Sequence, residues 1–173
     1  MESDFKYFLP RILELFPFQE LGAVSAELVA EKILYAGWKD WPDEERAAIR
    51  AYLEALWDLL LTREVGSLLV QAEEVLGWAV RLFDDVGSLL SAWERTATPA
   101  ADVHLARLVE AFGYTPERAP KELGSRGATV ARWLFRAQTQ QRLENAFFTN
   151  PDGPYSAELS SSADILNWKD GES

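Results

Sequence analysis

The chain has 173 residues with 28 acidic and 17 basic side chains, a formal net charge of -11 and no cysteine. The length is sufficient for one domain with its own core, and the missing cysteines exclude disulfides, thiolate zinc sites, iron–sulfur clusters and a cysteine nucleophile. The negative charge disfavours binding to nucleic acid and to anionic membranes, since both attract clustered Lys and Arg.

The N-terminal sequence MESDFKYFLP carries acidic residues where a secretory signal peptide carries basic ones. No apolar run approaches the roughly 18 residues that a membrane-spanning helix needs. We therefore expect a soluble cytoplasmic protein that does not associate with membranes.

The first two predicted elements are amphipathic helices. One is predicted to end at Pro17, and the next to run from a Ser25 cap to Gly37. The link from Gly37 to Trp41 is short, so we expect the second helix to fold back against the first as an antiparallel hairpin.

The clearest helical pattern lies between Asp40 and Thr62. Pro42 followed by three acidic residues is typical of a helix N-terminus. Apolar residues then recur every third or fourth position and form one wide stripe. These residues are Ile49, Tyr52, Leu53, Leu56, Trp57 and Leu60. Such a stripe needs neighbouring helices on more than one side.

Further helices are predicted after Gly66, each with a capping residue followed by an apolar stripe. They are expected from Ser67 to about Phe83, from Asp84 and Asp85 onward, from Thr98 to Gly113, and from about Ala128 to Phe148. Proline and glycine between residues 114 and 127 predict a long loop.

The sequence predicts an all-α protein of about seven helices, because no segment alternates apolar and polar residues over a strand length. We expect one domain over residues 1–149 and an irregular tail over residues 150–173 that can dock on it. The paired helices between Ala23 and Phe112 resemble, in general layout only, the HEAT and armadillo class. The resemblance implies a right-handed stack of antiparallel hairpins, and a closed helical bundle is the alternative.

The sequence contains no coherent catalytic or metal-binding constellation, and we expect no cofactor. His104 is the one histidine, which excludes two-histidine metal motifs, and we expect it to be a surface or satisfied side chain. A nucleophile elbow of the Gly-x-Ser-x-Gly type is missing. Among the carboxylate pairs, Glu27 and Glu31 are one turn apart on an otherwise apolar helix and could serve an interior pocket.

Two groups of residues are candidates for binding a partner. Arg132 and Arg136 are one turn apart, and Arg142 can extend their line. They could either close the body against the acidic N-terminal half or receive an acidic partner. Trp38 and Trp41 could either plug the open end of the first hairpin or form an aromatic platform for a ligand or peptide.

An anion-binding site is a further hypothesis. Ser125, Arg126 and Gly127 lie in a glycine-rich, basic stretch before a predicted helix, whose N-terminus could receive a phosphate or carboxylate. The stretch is not a Walker loop, because no Gly-Lys-Ser/Thr follows it. An ordinary loop and helix cap is the alternative.

These observations predict a non-catalytic helical module that binds a protein partner. The alternative is an enzyme or small-ligand binder that uses carboxylates such as Glu27 and Glu31 in an interior pocket. A third hypothesis is an acidic decoy that imitates nucleic acid, and the scattering of the acidic residues among Lys and Arg argues against it.

Overall fold

The computed structural model describes residues 2–19, 22, 25–113 and 126–170. In these residues every regular element is helical and none is a strand, which confirms the predicted all-α class. They form nine α-helices and one short 3₁₀ helix, where about seven helices were predicted. The helices are α1 (Glu2–Leu15), α2 (Ala26–Tyr35), the 3₁₀ helix (Trp38–Asp40), α3 (Asp43–Thr62), α4 (Ala72–Leu82), α5 (Gly87–Arg95), α6 (Pro99–Gly113), α7 (Gly127–Leu134), α8 (Ala137–Thr149) and α9 (Ser156–Asp170).

Local sequence signals set the ends of α2 and α3. The Ser25 hydroxyl accepts a hydrogen bond from the Leu28 backbone nitrogen at 3.2 Å, so this predicted cap is present. Gly37 follows α2 with a φ of 72°, a left-handed conformation that glycine adopts without steric cost. Pro42 precedes α3, and acidic residues fill its first turn, where they favour the positive end of the helix dipole.

The helix predicted to begin at Ser67 instead begins at Ala72. Residues 67–71 are not helical, and they bury Leu68 and Val70 while Leu69 between them is exposed. The Leu69 backbone nitrogen donates to the Pro17 carbonyl at 2.9 Å, which holds this segment against the end of α1. Tertiary contact therefore displaces the predicted Ser67 cap.

The helix predicted over residues 128–148 is broken between Leu134 and Ala137. Arg136 is extended there, with φ -92° and ψ 156°. The Thr139 hydroxyl donates to the Trp133 carbonyl at 3.2 Å, across the break. The polar residues that interrupt the apolar stripe therefore mark the start of a second helix.

The prediction of an irregular tail is wrong over residues 156–170, because these residues form α9. Leu159, Ala163 and Leu166 lie on one helical face and are buried. Ser162 shares that face, and its hydroxyl donates to the Leu159 carbonyl at 3.0 Å. A buried serine can thus continue a helix stripe when the helix itself satisfies its hydroxyl.

Helices α3, α4 and α6 pack on one another and form the centre of the molecule. Helix α2 lies against α4, α5 lies against α3, and both α8 and α9 lie against α6. Buried tryptophans also join helices through indole hydrogen bonds to main-chain oxygens. Trp57 donates to Leu89 O at 2.9 Å, and Trp93 donates to Ala101 O at 2.9 Å.

Helices α1 and α3 run parallel and side by side. Lys6 Nζ lies 2.6 Å from Glu45 Oε2, and the Tyr52 hydroxyl donates to the Leu13 carbonyl at 2.8 Å. Both contacts join residues 39 positions apart, so the two helices advance in the same direction. Since α2 has α4 as its main neighbour, this arrangement differs from the predicted antiparallel pairing of the first two helices.

Within the described part of the chain, no helix combines the length and the apolar character needed to cross a lipid bilayer.

Candidate functional site

An apolar groove of about 530 Å³ lies between α1 and the N-terminal half of α3. We call it the α1–α3 groove. Its lining residues are Lys6, Leu9, Pro10, Leu13, Glu14, Trp41, Glu45, Ala48, Ile49 and Tyr52. On each helix these residues recur every third or fourth position, so one face of α1 and one face of α3 form the two walls.

Small or truncated side chains keep the groove open. Ala48 places a single methyl group on the α3 wall, and the Pro10 ring on the α1 wall is held close to its backbone. The larger lining residues Leu9, Leu13 and Ile49 are buried and form the floor. The groove therefore follows from a pair of parallel helices whose facing residues do not fill the space between them.

Two aromatic side chains in the groove have their polar atoms engaged inside the protein. The Trp41 indole nitrogen donates to the Ala36 carbonyl at 2.6 Å, and the Tyr52 hydroxyl donates to the Leu13 carbonyl. Burial raises the pKa of Tyr52 well above its usual value, so the phenol stays neutral. These side chains consequently offer a ligand their apolar faces.

Charged residues border the groove. Lys6 pairs with Glu45, and its ammonium group also lies 4.1 Å from the centre of the Trp41 ring. Glu14 pairs with Arg11 at 2.6 Å on the exposed side of α1. An apolar floor with a charged rim is the usual composition of a protein-binding groove.

Most residues that line this groove are not candidates from the sequence. Trp41 is predicted as one, whereas Lys6, Pro10, Glu14 and Ala48 are not. The available signal was local: Lys6, Pro10 and Leu13 share one helical face. Nothing local shows that this face meets α3, which lies about 39 residues further along the chain.

Trp38 begins the 3₁₀ helix, Trp41 follows it, and both side chains are buried. Trp38 is only 5% exposed, and its indole nitrogen donates to the Leu82 carbonyl at 2.7 Å. The two rings contact each other with centres 5.3 Å apart. The hypothesis of an exposed aromatic platform is therefore wrong for Trp38, whereas Trp41 lines the α1–α3 groove.

Arg136 lies at the break between α7 and α8 and contacts the acidic N-terminal half of the chain. Its Nη1 lies 2.6 Å from Glu94 Oε1, and its guanidinium lies 5.0 Å from the centre of the Trp133 ring. A hydrogen bond from the Trp133 indole, together with one from Arg136, lowers the pKa of Glu94. Arg136 thus makes an internal contact with the N-terminal half of the chain. The Arg132 side chain is exposed.

Arg142 also makes its contacts inside the protein. It donates to Asp102 Oδ1 at 2.6 Å and to the carbonyls of Trp93 and Thr96 at 2.7 Å each. Burial raises the pKa of Asp102, and the pairing with Arg142 only partly offsets this increase. A guanidinium with three internal acceptors has little capacity left for a partner.

Arg126 of the predicted anion site is bound to groups within the protein. Arg126 donates from Nε to the Asp84 carbonyl at 3.0 Å and from Nη1 to the Val80 carbonyl at 2.9 Å, and its Nη2 contacts the Asp84 carboxylate. Arg126 therefore binds main-chain oxygens at the end of α4. Gly127 is buried, and Ser125 lies outside the described residues.

The carboxylates considered for an interior pocket lie on the surface. Glu27 and Glu31 are exposed, and Glu27 pairs with Arg81 at 2.9 Å. His104 is buried, and burial, assisted by the nearby Arg107 charge, lowers its pKa to about 4. The described residues contain no group of three or more His, Asp or Glu side chains that could hold a metal ion.

A smaller cavity of about 280 Å³ lies between the start of α6 and the link from α8 to α9. Asp102 is its one ionisable carboxylate among the described lining residues, and that carboxylate is already bound to Arg142. The cavity therefore presents no free charged group for substrate binding or proton transfer.

Comparisons of the chain with protein-family models, with curated proteins and with solved structures return no match.

Proposed function

We propose that the protein is a non-catalytic helical module that binds a protein partner, and that an apolar helix of this partner occupies the α1–α3 groove. The observation that carries the proposal is the groove itself, about 530 Å³ of mainly apolar space between two parallel helices. A third helix laid between two others buries its apolar stripe, as in helix-in-groove recognition. The volume is within the range of ligand-binding pockets.

The charge of the molecule supports a protein partner over an anionic small molecule. The net charge is -11, and two of the three charged lining residues of the groove are Glu14 and Glu45. An anionic ligand would approach against this field, whereas a basic protein would be attracted by it.

An enzymatic function has less support. It depended on Glu27 and Glu31 lining an interior pocket, and both side chains are exposed. The buried His104 has its pKa lowered to about 4, so it is uncharged near neutral pH and sits away from the α1–α3 groove. We therefore retain the interaction module as the single proposed function.

We also infer that the helices form a closed bundle, the second of the two predicted architectures. In a hairpin stack, each helix contacts its neighbours in the sequence. Helix α6 contacts α3, α4, α8 and α9, and α1 lies parallel to α3. These contacts between distant helices support a closed bundle over a HEAT-like stack.

The proposed function can be tested with a displayed library of amphipathic helical peptides of about 18 residues, long enough to form a helix. Ala48→Trp fills the groove from an exposed wall position, and Ala48→Met fills it less. Ala47→Trp is the matched control, because Ala47 is exposed and does not line the groove.

We expect enriched peptides to bind wild type and Ala47→Trp equally, and to bind Ala48→Trp at least about tenfold more weakly, a loss of about 1.4 kcal/mol. Ala48→Met should give an intermediate loss, and all variants should keep the wild-type melting temperature. The proposed function would be overturned if the library gave no enriched binders, or if the enriched peptides bound Ala48→Trp as tightly as wild type.

A further inference from the structure

The rim of the α1–α3 groove is more negative than positive. Lys6 is the one basic residue among its described lining residues, and Glu45 already neutralises it. Because α1 and α3 run parallel, Glu45 lies near the N-terminal ends of both helices and Glu14 near the opposite end of α1. Carboxylates therefore border both ends of the groove, where Glu45 pairs with Lys6 and Glu14 pairs with Arg11.

Further acidic residues extend this rim at one end. Asp43 and Glu44 precede Glu45 in the first turn of α3, and both are exposed. Asp43 contacts Arg46 and Glu45 pairs with Lys6, so Glu44 is the carboxylate that adds negative charge at this end. A helical partner that crosses this end meets a field that favours lysine or arginine.

The length of the groove matches about two helical turns. The lining residues run from Lys6 to Glu14 on α1 and from Glu45 to Tyr52 on α3. At a rise of 1.5 Å per residue these segments span about 11–12 Å. Three apolar side chains at positions i, i+4 and i+7 of a partner helix cover about the same distance.

An exposed aromatic residue stands beside the groove. Tyr7 is 79% exposed and shares a helical face with Pro10 and Glu14, three and seven positions later. Exposed tyrosines next to apolar grooves are typical of protein-binding surfaces. Tyr7 can therefore contact the flank of an occupant whose apolar stripe lies in the groove.

From these features we propose that the partner segment is a basic amphipathic helix, an inference that rests on the proposed function. Three apolar side chains of this helix enter the α1–α3 groove. Lysine or arginine residues that flank the stripe pair with Glu44 at one end and share the Glu14 carboxylate with Arg11 at the other.

Two other occupants fit the charge less well. A fatty acid would bring a carboxylate to a rim that already carries Glu14 and Glu45. A second copy of this chain would bring another net charge of -11, and the two molecules would repel each other. Both occupants are outcomes of the experiment below.

The experiment uses three synthetic helical peptides of equal length and the full chain. The first has a leucine stripe with lysine flanks, the second has the same stripe with glutamate flanks, and the third has an alanine stripe with lysine flanks. Binding is measured by fluorescence anisotropy of labelled peptide at low and high salt.

We expect the leucine–lysine peptide to bind at least about tenfold more tightly than the leucine–glutamate peptide, and its affinity to fall as salt screens the rim. The alanine–lysine peptide should show no saturable binding. The double substitution Glu14→Gln and Glu44→Gln should weaken leucine–lysine binding about three- to tenfold and strengthen leucine–glutamate binding, because the repulsion from the rim is reduced.

The result separates this inference from the proposed function. Equal binding of both leucine peptides, lost together in Ala48→Trp, overturns the basic partner and leaves the interaction module standing. Failure of both leucine peptides to bind overturns the interaction module as well.

Two further controls address the other occupants. Saturable binding of laurate that displaces the leucine–lysine peptide would assign the groove to a fatty acid. A dimer of the wild-type protein in sedimentation, dissociated by Ala48→Trp and not by Ala47→Trp, would assign it to a second copy. Either outcome overturns the basic helix.

Discussion

Arg142 connects three helices through one guanidinium group. It binds a carboxylate at the start of α6 and two carbonyl oxygens at the end of α5, and it is itself on α8. Burial already raises the pKa of the Asp102 carboxyl, so this charge is poorly solvated and depends on the arginine. Removing one partner of such a pair is costly because the other stays behind uncompensated.

We therefore expect Arg142→Met to lower the free energy of unfolding by about 2–4 kcal/mol in urea denaturation. The matched control is Arg132→Met on the exposed side of α7. This substitution should change the free energy of unfolding by less than about 0.5 kcal/mol. Equal effects of the two substitutions would contradict an internal role for Arg142.

His104 makes stability depend on pH. Its pKa in the folded protein is lowered to about 4, whereas an unfolded histidine titrates near about 6.5. Between these values the unfolded chain binds a proton that the folded protein does not, so stability falls as pH drops from about 6.5 to about 4.

Over this pH range, wild type should lose about 1–3 kcal/mol more stability than His104→Gln, which does not titrate. The difference between the two urea-denaturation curves isolates His104 because the carboxylates are common to both proteins. Parallel pH profiles of wild type and His104→Gln would show that His104 titrates normally in the folded protein.

Helix α9 is held on α6 by a close approach that needs glycine. Gly113 ends α6, and a Cβ atom added there would overlap Cγ2 of Ile165, which is buried on α9. Gly77 in α4 is different, because a Cβ atom added there would meet no atom within 4 Å.

Gly113→Ala should destabilise the protein by about 1–3 kcal/mol, since α9 must shift to make room. Gly77→Ala adds the same methyl group inside a helix without a clash, and it should stabilise the protein by about 0.5–1 kcal/mol. Thermal unfolding of both variants measures whether each substitution raises or lowers stability. A stabilising Gly113→Ala would contradict the described packing of α9.

Comparison of the predicted and observed helices shows where local sequence is sufficient to predict a helix. The stripe of α3 was predicted correctly because Leu53, Leu56 and Trp57 recur at helical spacing and are buried. Helix α9 was missed because its serines resemble a loop, although Ser162 is buried and bound within the helix. The Ser67 start was wrong because Leu69 pairs with Pro17, which no local pattern indicates.

At the scale of the molecule, contacts between helices distant in sequence decide the architecture. A closed bundle of this length should have a radius of gyration of about 16 Å, and an open stack should have a larger value. We expect small-angle scattering to give about 16 Å. A value several Å larger would favour the HEAT-like stack.

The candidate site depends on the same long-range contacts. Sequence analysis could name Trp41 as an aromatic candidate, but the groove exists because α1 lies parallel to α3. Arg136 and Arg142 had two possible roles in the sequence, and only their tertiary partners distinguish these roles. Helix faces are local properties, whereas the space between two faces is not.

The most direct test of the α1–α3 groove is an NMR titration of the full chain with the leucine–lysine peptide. We predict that the largest chemical-shift changes occur at Leu13, Ile49, Tyr52 and the Trp41 indole, and that Ala48→Trp abolishes them while Ala47→Trp preserves them. Changes concentrated on α8 and α9, or no saturable change at all, would contradict the account.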